Sequence, residues 1–205
     1  MSIYDIIIFL LFIALIIIIF YIQSIPSAPI TYYIQDSPID RNFKQKVSDI
    51  LLNSNWRTQY NVKELTDEEH HYQPADINIQ LSNRQSLNHW QESTDVYPDG
   101  RPMRFSITTQ YRNIPPQIYI DSENWLYGVK ESGLTLEQYR EYIINHEFGH
   151  GLGINHRTCD EKNNIDGICP VMYQSTRGCP KGYRCAYRPN NLDYTADKIP
   201  NAYIF

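Results

Sequence analysis

The chain has 205 residues, with 18 Lys and Arg against 23 Asp and Glu and a formal net charge of -5. Without a hydrophobic stretch at its start, that length fits one domain with a sizeable core. Neither charge sign forms a long run or a basic stripe, so a nucleic-acid partner is not expected.

Ile6 to Ile22 is an unbroken run of 17 apolar residues, at the short end of what crosses a bilayer. A cleaved signal peptide is the competing reading. However, no Lys or Arg precedes the run, the run is longer than a signal peptide's apolar region, and a cut after Ala28 would place Pro29 against it. The expectation is a transmembrane anchor over 1–23, a linker over 24–29 stiffened by Pro26 and Pro29, and a folded domain over 30–205. Charge does not orient the anchor: Asp5 lies on one side, and no Lys or Arg occurs before Arg41 on the other.

Ile30 to Gln35, rich in Tyr, Ile and Thr, predicts a strand that Ser37-Pro38 ends. From Asp40 to Trp56, apolar residues at Phe43, Val47, Ile50 and Leu51 predict a helix with one buried stripe. Tyr60 to Gln73 is polar and acidic and reads as loop. Asp76 to Leu81 alternates as a half-buried strand, and Pro98-Asp99-Gly100 is a turn signal. Arg104 to Tyr111 alternates two faces, Phe105, Ile107, Thr109 and Tyr111 against Arg104, Ser106, Thr108 and Gln110. Pro115-Pro116 is expected to end that strand, with another over Gln117 to Tyr127. Thr135 and Gln138 have capping-box spacing, and Leu134 and Tyr139 occupy the flanking staple positions. On the helix that follows, Tyr139, Ile143, His146 and His150 share one face. The order of elements is α+β.

His146 to His156 reads H-E-F-G-H-G-L-G-I-N-H. Histidines four apart on a helix are neighbours, so both imidazoles can reach one metal ion. Glu147 is not itself a ligand on this reading, and its position is that of a proton acceptor. Gly153 can take the left-handed conformation at a helix end and turn the chain, which would bring His156 back as a third ligand. Three protein ligands and one open position describe a catalytic Zn2+ site. His70, His71 and His89 lie in polar stretches and read as surface residues.

The cysteines, Cys159, Cys169, Cys179 and Cys185, are clustered and even in number, which predicts two disulfides. A second zinc site is less favoured, because no C-x-x-C pair occurs. Disulfides would place the folded domain on the non-cytosolic side, as part of a single-pass membrane protein.

H-E-x-x-H-x-x-G-x-x-H is the extended motif of the metzincin metalloproteases, which this chain resembles. Met172, the one methionine after the motif, stands where such proteins carry a methionine turn beneath the ligands. The chain most resembles a metzincin-like domain of secreted bacterial proteins. The residues that carry this include Tyr139-Arg140, Asn145 to Glu147, Gly149-His150, Cys159, Pro170 to Met172 and Gly178-Cys179. The likeness spans about 60 residues, with Trp125 and Gly128 as an upstream extension. It implies a small mixed sheet on a long active-site helix and an N-terminal helix, with a disulfide-stapled C-terminal region. It also implies a Cys159–Cys179 bond, leaving Cys169 for Cys185. Four cysteines allow two other pairings. Two departures stand out. Some metzincins place a tyrosine two residues after the methionine, where this chain has Gln174, and no cysteine precedes the motif to act as a latency switch.

The function expected is a zinc endopeptidase acting on peptides or proteins, with zinc acidifying a bound water and Glu147 taking its proton. The alternative is a membrane-displayed, non-catalytic module that contains zinc.

Overall fold

The computed structural model describes Tyr4, Ile8 and residues 10–17, 28–87, 96, 100 and 103–194. Five strands form one sheet: β1 (Ile30–Ile34), β2 (Val62–Glu64), β3 (Ile77–Ser82), β4 (Ile107–Tyr111) and β5 (Ile114–Asp121). The order is β2-β1-β3-β5-β4, parallel except for β4, which runs antiparallel along one edge. Alternation decides which face is covered. Ile77, Ile79 and Leu81 of β3 and Ile118 and Ile120 of β5 are buried, while the residues between them are partly exposed.

Two helices close that face. Helix α1 (Phe43–Leu52) buries Phe43, Val47 and Leu51, as its spacing predicts. The short α2 (Trp56–Gln59) follows and contributes the fully buried Trp56. The long helix is Leu136–Gly151, which becomes α6 in chain order after α3 (Asp67–Tyr72), α4 (Arg84–Leu87) and α5 (Ser122–Tyr127). The expected capping box is present. Thr135 Oγ1 accepts from Gln138 N at 3.3 Å, and Gln138 Oε1 accepts from Thr135 N at 3.1 Å. Two glycines let α6 approach its neighbours. A Cβ on Gly149 would run into the Met172 sulfur and lie 3.0 Å from Trp56 Cζ2, and one on Gly151 would press on Ile77 at 3.2 Å.

Several expectations need correction. The stretch read as loop over Tyr60 to Gln73 contains β2 and α3. Helix α3 starts with its own capping box, in which Thr66 accepts from Glu69 N at 3.1 Å and Glu69 accepts from Thr66 N at 2.9 Å. Its side chains are unburied, so no apolar stripe marks it. Pro115 and Pro116 begin β5 rather than separate two strands, because a register irregularity between Thr109 and Tyr111 accommodates residues that donate no N–H. The second half of the expected strand over 117–127 is helix α5, capped by Asp121 accepting from Asn124 N at 2.8 Å.

The disulfides are Cys159–Cys169 and Cys179–Cys185, not Cys159–Cys179 with Cys169–Cys185. Each closes a local turn. An Asp160-centred turn and the Ile165–Ile168 bridge fold Cys169 back onto Cys159, while a turn from Pro180 to Tyr183 returns Cys185 to Cys179. The expected anchor over 1–23 falls largely outside the described residues. Among those described, no helix is long and apolar enough to cross a membrane.

Candidate metal centre

Helix α6 carries His146 and His150 on one face, and its C-terminal turn brings in the third histidine. Leu152 caps the helix and Gly153 takes φ 83°. Gly153 N donates to His150 O at 2.8 Å and Ile154 N to Gly149 O at 2.9 Å, a paired closure that reverses the chain. His146, His150 and His156 form the one metal-capable cluster among the described residues. His146 Nε2 lies 3.2 Å from His150 Nε2 and 3.3 Å from His156 Nε2. A tetrahedral ion with bonds near 2.05 Å holds its ligand atoms about 3.3 Å apart.

Hydrogen bonding shows how those atoms could hold a cation. His146 Nδ1 faces Val171 O at 2.8 Å and His150 Nδ1 faces Ile154 O at 2.7 Å. A carbonyl only accepts, so each neutral ring carries its proton on Nδ1 and turns a lone pair outward from Nε2. Two lone pairs at 3.2 Å cannot satisfy one another, but they can both bind a metal ion. The electrostatics agree. Burial, then the neighbouring His150, holds His146 well below its usual range, and burial pushes His150 down to about 4. Burial also lowers the more open His156, with the positive field of Arg177 adding to it. The three rings are therefore neutral at pH 7, the form that ligates.

Glu147 points into the same site and is only 4 % exposed. Burial pushes its carboxyl up to about 7, against a hydrogen bond from Thr108 that pulls it down. The Thr108 hydroxyl lies 2.7 Å from Glu147 Oε2, reaching across from edge strand β4. A cavity of about 110 Å³ opens beside the cluster, lined by Phe105, Ile107, Tyr142, Ile143, Gln174 and Thr176 together with the histidines and Glu147. Gln174 thus faces the site, whereas Tyr173 offers its carbonyl to the Tyr142 hydroxyl at 3.3 Å. His70 stacks on Tyr33 at 3.8 Å and His71 is exposed, both apart from the cluster, while His89 lies outside the described residues.

Met172 is fully buried beneath α6, packed where Gly149 leaves room for its sulfur. The turn that carries it is held by a residue the sequence did not single out. Asp193, in α7 (Asn191–Tyr194), is 1 % exposed and accepts from Val171 N at 3.2 Å, Met172 N at 3.0 Å and Asn190 N at 2.8 Å. Burial raises its carboxyl above the ordinary range despite those donors. Its grip on Val171 fixes the carbonyl that aims His146. Asp193→Ala is expected to strand these N–H groups, at about 1–3 kcal/mol for each one left buried. It should lower the urea midpoint and weaken metal binding about 10–100-fold, as loss of an outer partner does. Unchanged urea and metal titrations would show that the turn holds without it.

Residues 36–198 match the model of a family described as proteins of unknown function, DUF3152. The chain belongs to that family. The DUF3152 match takes in the three histidines, Glu147, the Met172 turn, both disulfides and Asp193. No curated protein and no solved structure matches the chain.

Proposed function

We propose that this DUF3152 protein is a zinc-dependent endopeptidase of the metzincin type, with His146, His150 and His156 as ligands and Glu147 as proton acceptor. One observation carries the reading: His146 Nε2 lies 3.2 Å and 3.3 Å from the Nε2 atoms of His150 and His156, and the buried Glu147 lines the same cavity. Three imidazoles at that spacing suit zinc better than oxygen-seeking cations. When bound, zinc would supply Lewis acidity, lowering the pKa of water and polarising a carbonyl.

The chain's own groups would do the rest. Glu147 takes the proton of the attacking water, whose oxygen bonds to the carbonyl carbon, and passes that proton to the amine nitrogen as the C–N bond breaks. Strand β4 is an edge of the described sheet, beside the histidine helix, and an edge strand suits an extended peptide laid alongside. Two disulfides fit a domain outside the cytosol, displayed by an N-terminal anchor over 1–23.

The test is cleavage of a peptide library by the purified full chain in detergent, with and without a chelator. Expected is endopeptidase cleavage that stops with chelator and returns with zinc. Stoichiometric zinc with no cleavage of any peptide would reject the protease in favour of a non-catalytic zinc module.

A further inference from the structure

Strand β4 does more than border the site. Alternation turns Thr108 and Gln110 toward α6. The Thr108 hydroxyl lies 2.7 Å from Glu147 Oε2 and 3.1 Å from Glu147 O, and the Gln110 amide donates to His150 O. The strand that would hold substrate is thereby bonded to the helix segment that carries the acceptor and a ligand. We propose that Thr108 is a positioning residue that holds Glu147 in its reactive orientation, so that the substrate strand and the proton acceptor move as one unit.

Donor and acceptor counting supports this. A hydroxyl has one proton to give, and the Glu147 carbonyl lies inside α6, four residues before the helical N–H of Gly151. The carboxylate oxygen is the nearer acceptor, at 2.7 Å against 3.1 Å, and a hydroxyl bonded to a carboxylate is among the stronger hydrogen bonds. With Oε2 held by Thr108, Oε1 is the oxygen left to take the water's proton. A glutamate side chain on a helix samples several rotamers, and a bond from a strand selects one. This extends the protease reading and rests on it only for the kinetic arm of the test below.

The variants are Thr108→Val, which keeps the shape and loses the hydroxyl, and Thr108→Ser, which restores it. In the zinc-loaded full chain, T108V is expected to lower kcat about ten- to a hundredfold, with KM within about twofold and zinc content unchanged. T108S is expected to recover most of the rate. The second readout needs neither metal nor turnover. In metal-free chain labelled with carboxyl-13C glutamate, the Glu147 resonance is the one missing from Glu147→Gln. It should shift in T108V and return in T108S. A wild-type kcat in T108V, or an unmoved resonance, overturns the proposal. If the wild type cleaves no peptide, the protease reading fails, and the resonance alone decides whether Thr108 orients Glu147.

Discussion

Glu147→Gln is expected to bind zinc as the wild type does and to hydrolyse peptides about a hundred- to ten-thousandfold more slowly, the range that general acid–base groups contribute. Glutamine has nearly the shape of glutamate and keeps an oxygen for the Thr108 hydroxyl, so the cavity wall and the strand contact survive. What it loses is the ability to take a proton and give it back. The loss should appear in kcat, with KM little changed, because the carboxylate acts in the transition state rather than in ground-state binding. The measurement is kcat and KM beside zinc content on the same preparation. Full activity in a zinc-replete variant would remove Glu147 from the mechanism. Activity lost together with zinc would show instead that the side chain is needed to build the site.

What the sequence disclosed follows from how local each feature is. The metal cluster is encoded within eleven residues, because helix pitch places His146 and His150 together and Gly153 alone makes the turn that returns His156. The long helix was equally legible, since Thr135 and Gln138 write its cap. The same code stands at Thr66 and Glu69 with no apolar stripe to follow it, because no residue of α3 is fully buried and its polarity resembles loop. The disulfides show the limit of resemblance: the partners are set by two tight turns, and a likeness at Cys159 and Cys179 does not report those turns. Asp193 was invisible for a different reason. A lone aspartate near the C-terminus has no sequence signal until folding presents it with the backbone N–H groups of the Met172 turn. Thr108 gave a weak signal. The polar face of β4 would ordinarily be assigned to solvent, and here it faces the helix that carries His146 and His150.

His156→Ala is expected to lose zinc on dialysis, with affinity falling well beyond the 10–100-fold typical of an outer partner. The reason lies in where each ligand comes from. His146 and His150 are fixed by α6 and by the Val171 and Ile154 carbonyls, so they persist in the variant. Two imidazoles leave a tetrahedral ion short of the three protein ligands that a catalytic zinc site uses. Metal also stabilises whichever state binds it, by an amount that grows with ligand concentration over Kd. The wild type should therefore melt at a lower temperature once chelated, while His156→Ala should melt at that lower temperature with or without chelator. The comparison separates a missing ligand from a damaged fold. Residue 156 is exposed at the domain surface, and the core around Trp56, Trp125 and Phe148 does not depend on it. Unchanged zinc content, or a chelator-sensitive melt in the variant, would place the third ligand elsewhere. It would also leave the open, three-imidazole geometry, and the hydrolase built on it, without support.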